Sequence, residues 1–489
     1  MKTIQDLQPK QVWSIFHELT QIPRPSKKEF RAVEWAYNYG KKLGLETIKD
    51  KVGNVIIRKP ATKGMENRAG IIFEAHLDMV PEKNPDVKHD FDKDPIKTRV
   101  VGDLMYATGT TLGADNGLGV SIAMAILADK KIQHGPLEAL FTVDEETGMT
   151  GAKALKAGVL KGDILLNLDS ETEGEVCIGC AGGLDGEAVF KYTTEKVPAG
   201  YVYKNITVKG LMGGHSGMEI YLYRANANKI IARILLPLLK DLNARLVEIG
   251  GGSKRNAIPR DAHAVIAVSK ANEKKALSLI NKIAKEVKYE HRYSDKDCAV
   301  VTKSVKCNCP AIKKETAINI VRALCACPNG IYRKTDELPG IPSEVETSTN
   351  MAIVQQDKNT IKVHSLLRSF TDSNKYDLAN AMTAVFELAG AKCTYTGGYS
   401  GWELDPNSPI LKVAIETYKK LYGKTPRVYK VHAGLECGIL GATYKNWDMV
   451  SVGPTIMSPH SPDERTLIPS VGKCYDFVVE LVKNAPKKK

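Results

Sequence analysis

Long apolar runs are missing from this 489-residue chain. None reaches the roughly 18 residues that a membrane-crossing helix needs, so no membrane span is expected. The opening stretch, MKTIQDLQPKQVWSIFHEL, also lacks the unbroken apolar core of a secretion signal, because Asp6, Lys10 and Glu18 punctuate an amphipathic pattern. A cytoplasmic location is the expectation. Cysteine is sparse, ten residues without the dense framework of a disulfide-stapled domain, as expected of reduced thiols. Cys307 with Cys309, and Cys325 with Cys327, leave a single residue between thiols where structural zinc sites favour roughly two to four, so ordinary thiols are expected there. Basic clusters are missing too. The net charge is +13, but the lysines are scattered and only the terminal PKKK is grouped. That pattern reads as a solvated lysine-rich surface and not as a nucleic-acid partner.

What is present is the composition of a globular protein, with 43% hydrophobic and 26% charged residues, on a chain too long for one core. Single cores stop growing at roughly 250 to 300 residues, so two domains are expected. Near the N-terminus, RPSKKEFRAVEWAYNYGKKLG offers Ser26 as an N-cap with Glu29 three residues on, ahead of a helix that stops at Gly44. Short apolar strands follow at 54–58, 69–75 and 137–143. The spacing of ADNGLGVSIAMAILADKK predicts a helix starting just after Asp115, and GDILLNLDS predicts another strand. Strand, helix and strand in this order argue for a parallel α/β sheet. From about residue 185 alternating strands interleave with clear helices, and the order recurs after residue 300. That pattern predicts an inserted α+β domain of two similar halves. The α/β texture returns after YTGGYSGW. The expected division is therefore 1–184 and 398–489 as one domain in two parts, with 185–397 inserted.

Strands that look buried finish in ionisable groups: EAHLDMV, TLGADNGLG, FTVDEETG and LNLDSETEGE. Taken singly, a strand-end histidine is ordinarily a hydrogen-bonded structural residue and an aspartate before a helix an N-cap. Four together are another matter, since clustered carboxylates repel unless a cation neutralises them. Ligand sites in α/β sheets form at the carboxyl ends of strands, and mixed histidine and carboxylate sets suit zinc and its neighbours. His76 and Asp78, two apart, share a face, so Asp78 is placed to fix the tautomer of a ligating His76. Of the adjacent Glu145 and Glu146, one can bind metal while the other faces the attacking water.

The ordered set HLDMVPEK, GTTLGADNGLGV, DEETGMTGA, NLDSETEGEV, GGHSG, HAGLECG and SPHSPDERT resembles the aminoacyl-histidine dipeptidases, within the larger family of di-zinc aminoacylases and carboxypeptidases. The match runs from about residue 10 to the C-terminus. The resemblance implies a zinc-peptidase-like catalytic domain with a mixed, mainly parallel sheet flanked by helices, plus an inserted α+β lid that excludes water on closing. It implies two Zn2+ per chain, with Mn2+ or Co2+ able to substitute. His76, Asp115, Glu146, Asp169 and His460 become metal ligands, with Asp115 bridging, Asp169 on the metal that His76 serves and His460 completing the other. Glu145 becomes the general base, and Asp78 supports the site. His215, Asn256, Arg368 and Gly434 become substrate contacts, Arg368 for a terminal carboxylate. The implied activity is hydrolysis of unblocked dipeptides, Xaa-His types such as β-alanyl-histidine among them, by a homodimer joined through the lid. The alternatives are an N-acyl amino acid deacylase on the same metals and a non-catalytic binding protein on this scaffold.

Overall fold

In the computed structural model, which describes residues 3–336 and 343–488, the chain forms two compact units. One comprises Met1–Cys180, Trp402–Lys430 and Leu435–Lys489, and the other Ala181–Gly401 with Val431–Gly434. The short segment Val431–Gly434 therefore belongs with the second unit and not, as expected from sequence, with the C-terminal part of the first. Its backbone is tied there by the Ala181 N–H, which donates to the carbonyls of Val431 and Ala433 at 3.1 and 3.0 Å. Among the described residues no helix is long and apolar enough to cross a membrane.

The first unit is built on an eight-stranded sheet. Its centre is parallel: Leu137–Thr142, Ile71–His76, Ile164–Asn167 and Asp448–Ser451 lie side by side in that order. The flanking strands Glu46–Lys49, Val55–Lys59 and Glu175–Cys180 pair antiparallel, so the sheet is mixed. Both Ile71–His76 and Leu137–Thr142 are buried at every position, which is why they read as unbroken apolar runs rather than alternating ones. Helix Ala114–Ala128 is likewise buried almost all round, and Asp115 and Asn116 at its start lie outside helical geometry. A small four-stranded sheet pairs Arg465–Leu467 with Leu104–Ala107 and so ties the C-terminal segment to the loop before that helix.

The second unit carries a nine-stranded sheet. Its first half reads strand Tyr201–Lys209, helix Ala227–Asp241, strands Arg245–Gly251 and Ala262–Ser269, helix Glu273–Glu290 and strand Ala299–Val305. Its second half reads strand Gly182–Lys191, helix Lys314–Ala326, strands Val345–Gln356 and Thr360–Ser369, helix Asp372–Leu388 and strand Ala391–Tyr399. In both halves the second, third, first and fourth strands lie side by side in that spatial order, and the halves meet at their second strands, Gly251 opposite Val354. The repeated order seen after residue 300 thus reflects two like folds. The first strand of the second half precedes the whole first half in sequence. The helices bury Ile231, Leu235, Ile280, Ile320, Leu378 and Phe386 in one core with strand residues such as Ile206, Ile266, Val363 and Leu367.

Two further expectations are corrected. Ser26 does not cap the helix Phe30–Lys42, whose N-cap position is Glu29 without a side-chain cap bond. The Ser26 hydroxyl instead donates to Asp78 Oδ2 at 2.8 Å, and Glu29 Oε1 accepts the Asp144 N–H at 2.9 Å. Long-range partners have outcompeted the local capping box. The second correction concerns Cys307 and Cys309, which are disulfide-bonded with Cα atoms 5.5 Å apart. The single intervening residue that argues against zinc holds the two thiols within bridging reach. Cys325 and Cys327 are free thiols.

Candidate functional site

The parallel strands deliver their carboxyl ends to one side of the first unit. His76 closes its strand opposite Thr142. Just beyond Thr142 the chain turns through Asp144, which has a left-handed φ of 54°. The Asp144 carboxylate accepts from the hydroxyls of Thr147 and Thr150, and those bonds offset a conformation that is uncommon for a residue with a Cβ. The turn aims the Glu145 and Glu146 N–H groups at Asp78, whose Oδ1 and Oδ2 accept them at 3.0 and 3.3 Å. Asp169 lies two residues past the strand Ile164–Asn167 and accepts from Asn116 Nδ2.

Asp115 stands between two imidazoles. Its Oδ1 is 3.1 Å from His76 Nε2, and its Oδ2 is 3.0 Å from His460 Nε2. His76 Nε2 is also 3.4 Å from Asp169 Oδ1, and His460 Nε2 is 3.0 Å from Glu146 Oε2. The residues thus fall into two sets sharing one carboxylate: His76, Asp115 and Asp169, and His460, Asp115 and Glu146. On its far side, His76 Nδ1 faces Asp78, 3.2 Å from the carbonyl oxygen and 3.4 Å from Oδ1. Ligand atoms of His76, Asp115 and Glu146 lie within 4.8 Å of one another, close enough to hold a metal ion.

Electrostatics set these groups against each other. Burial works to lower the His76 pKa, but the Asp169, Asp115 and Asp78 carboxylates outweigh it and hold the pKa well above the usual imidazole range. Burial is likewise overcome at His460, which Asp115 and Glu146 push up to about 11. Burial would raise Asp115, yet the two imidazoles keep it well below the usual carboxylate range. Glu145 and Glu146 are raised, first by burial and then by neighbouring carboxylates. Glu171 is pushed up to about 8 by burial and by Asp115 and Asp169. Such competition is what clustered carboxylates short of cations produce. Glu146 Oε1 is buried with no hydrogen-bond partner among the described residues, an acceptor that a cation would satisfy.

The remaining candidates lie in the second unit. His215 pairs with Ala257, and the Ser216 N–H donates to the Asn256 carbonyl at 2.9 Å, which places the exposed Asn256 beside it. The Met218 and Gly217 N–H groups donate to His215 Nδ1 at 2.9 and 3.3 Å, so a neutral ring carries its proton on Nε2. That nitrogen lies 3.5 Å from an Arg368 terminal nitrogen. Arg368 is 5% exposed and its Nε has no hydrogen-bond partner among the described residues. Gly217 is closed in: a Cβ there would lie 2.1 Å from the His432 carbonyl oxygen and 2.8 Å from Arg368 Nε. Gly434 is two residues from His432, whose Nε2 lies 2.7 Å from the Ser348 hydroxyl.

Sequence reasoning missed Arg24, Glu464 and His432. Arg24 and Glu464 are each 2% exposed and hydrogen-bond to the loops that carry the ligands. Glu464 and His432 sit inside the motifs SPHSPDERT and HAGLECG, where the histidine and a glycine drew notice instead.

A model of peptidase family M20/M25/M40 matches residues 72–484. The cytosol non-specific dipeptidase of Escherichia coli K12 is 44% identical over 488 residues, covering 100% of both chains. The crystal structure of an aminoacylhistidine dipeptidase from Vibrio alginolyticus superposes with a TM-score of 0.92 at 44% identity, covering 100% of this chain and 99% of that one. The aminopeptidase PepT of Bacillus cereus, at 18% identity and a TM-score of 0.58 over 98% of each chain, shares the fold.

Proposed function

The chain belongs to peptidase family M20/M25/M40, and from that premise we propose that it hydrolyses unblocked dipeptides at a centre of two divalent cations, Zn2+ first, with Mn2+ or Co2+ able to substitute. The observation that carries this reading is Asp115, whose two oxygens each meet one imidazole and so divide the donors into two sets with a shared carboxylate. The names of its relatives support peptides as substrates, Xaa-His types among them. A cytoplasmic location goes with this reading.

His76, Asp115 and Asp169 would hold one cation, and Asp115, Glu146 and His460 the other. Bound there, such ions supply Lewis acidity, acidifying water and polarising a carbonyl. Glu145, outside both sets, takes the proton from the attacking water and hands it to the leaving amine. Asp78 holds His76 by Nδ1 and so presents Nε2 to the site. Arg368, a buried guanidinium whose Nε has no hydrogen-bond partner among the described residues, receives the dipeptide's terminal carboxylate. His215 offers its Nε2–H to the tetrahedral oxyanion, acting from the second chain of a homodimer joined through the second unit.

The test is a panel assayed with metal-stripped protein to which Zn2+, Mn2+ or Co2+ is returned, comparing dipeptides, C-terminally amidated dipeptides and N-acyl amino acids. Metal-dependent cleavage that prefers the free dipeptides is expected. Faster turnover of N-acyl amino acids would replace the reading with the deacylase, and metal-independent cleavage would end it.

A further inference from the structure

Arg24 and Glu464, 440 positions apart in the chain, are both buried in the first unit, and both hydrogen-bond to backbone. The Glu464 carboxylate accepts four consecutive N–H groups: Leu112 and Gly113 on Oε2 at 2.6 and 2.9 Å, and Ala114 and Asp115 on Oε1 at 2.7 and 3.2 Å. Arg24 works on carbonyls. Its Nη1 donates to those of Leu77 and Asp78 at 2.9 and 2.8 Å, and its Nη2 to that of Gly113. Gly113 is thus gripped twice, through its N–H by Glu464 and through its carbonyl by Arg24.

The local sequence is shaped to admit this grip. Gly113 has a φ of +69°, and a Cβ there would lie 2.5 Å from Arg24 Nη2 and 2.9 Å from Met79 Sδ. A Cβ on Gly117 would come 2.7 Å from the same nitrogen. Four N–H groups converging on one carboxylate cannot be matched by water or by a neutral side chain without leaving donors unpaired. The arginine fork sets two nitrogens on two loops, Nη1 on Leu77 and Asp78 and Nη2 on Gly113, where a lysine would have a single ammonium nitrogen.

We propose that Arg24 and Glu464 are positioning residues that clamp the Gly113 backbone and thereby set the spacing among three ligand-bearing loops: His76–Asp78, the one ending at Asp115, and the one carrying His460. Glu464 is four residues from His460, so the carboxylate that orders the Asp115 backbone also anchors the loop of the second imidazole. Neither residue belongs to the two sets that share Asp115. Their effect passes through where the two oxygens of Asp115 point, so the ligand sets are preorganised before any cation arrives.

The inference rests on the metal reading proposed above, and the experiment separates the two. Zn2+ affinity of the stripped full chain is measured by competition with a chromophoric chelator, together with the visible spectrum of the Co2+ form, for wild type, Glu464→Gln, Arg24→Lys and the double variant. If wild type binds no Zn2+, the metal reading falls. Glu464→Gln keeps one acceptor oxygen but turns an amide NH2 toward two backbone donors. It should weaken Zn2+ binding about 10- to 100-fold and alter the Co2+ spectrum, with the near-UV circular dichroism of the metal-free protein unchanged. Arg24→Lys should lose about tenfold. Because both grip one residue, the double variant should lose less than the product of the two. Folded variants with wild-type affinity would overturn the proposal. Hydrogen exchange of the metal-free wild type provides a measurement that needs no variant to fold. Slow exchange at the amides of residues 112–115 is expected, and rapid exchange there would also overturn it.

Discussion

The first unit's candidate residues are acid-rich: Asp78, Asp115, Glu145, Glu146 and Asp169 against the imidazoles of His76 and His460. The second unit's are the reverse. A buried Arg368 lies near His215, and His432 is held neutral, its pKa lowered to about 3 by burial and then by Arg368 and His215. Buried charge left uncompensated is costly, so each cluster states the sign of what completes it. One calls for cations, the other for an anion.

The sharpest way to break this contrast lies within the acid-rich cluster, between neighbours. Glu145→Ala should abolish turnover, losing about 10²- to 10⁴-fold, while metal content stays near wild type. Glu146→Ala should lose metal as well as rate. Metal analysis beside initial rates separates the two, and a Glu145→Ala protein that keeps more than about a tenth of its rate would reject the base.

The next largest effect belongs to the base-rich cluster. His215→Ala should lose about 10²- to 10³-fold, the usual cost of one oxyanion donor. If the residue acts across a homodimer, the inactive His215→Ala and Glu145→Ala chains should regain activity when unfolded, mixed and re-formed. Random pairing leaves about a quarter of the sites intact. A monomeric active enzyme, or re-formed dimers without recovery, would confine His215 to its own chain.

These clusters were legible in sequence to different depths, for a physical reason. His76 ends a strand buried on both faces and Glu145, Glu146 and Asp169 follow such strands, so charge interrupts an apolar run and is conspicuous. Arg24 and Glu464 bond to backbone, which has no sequence signature, and their partners are distant in the chain. Ser26 with Glu29 showed a genuine capping pattern, yet Asp78 and the Asp144 N–H took those side chains. The recurrence of strand and helix order in the second unit was visible. That its second half borrows a first strand, Gly182–Lys191, from ahead of the first half was not, because strand pairing is a long-range property.

A smaller effect should follow at the border of the acid-rich cluster. Asp78 accepts the Ser26 hydroxyl and two N–H groups while facing His76 Nδ1. Asp78→Ala should therefore weaken both Zn2+ affinity and rate by about 10- to 100-fold without removing a metal ligand. An unchanged metal titration would show that His76 needs no such support.

The smallest effect is expected where the second unit carries sulfur. Cys307 and Cys309 close a loop with one residue between them, and chain entropy assigns so short a loop only about 1 to 2 kcal/mol. Cys327 is buried, and burial pushes its thiol up to about 12, which makes it a poor metal ligand or nucleophile. Cys325 is raised as well, again by burial. The nearby Lys229 ammonium donates to the carbonyls of Leu324, Cys325 and Cys327, at 2.7, 2.7 and 2.8 Å, so backbone and not sulfur satisfies that cation. Replacing all four cysteines by Ser or Ala should leave metal content unchanged and activity within about twofold. The cost should appear only as a modest shift in denaturant midpoint, most of it traceable to the Cys307–Cys309 bond by comparison with wild type under reducing conditions. Loss of one zinc per chain in the quadruple variant would place a metal in the base-rich unit, and the division of charge between the two regions would have to be redrawn.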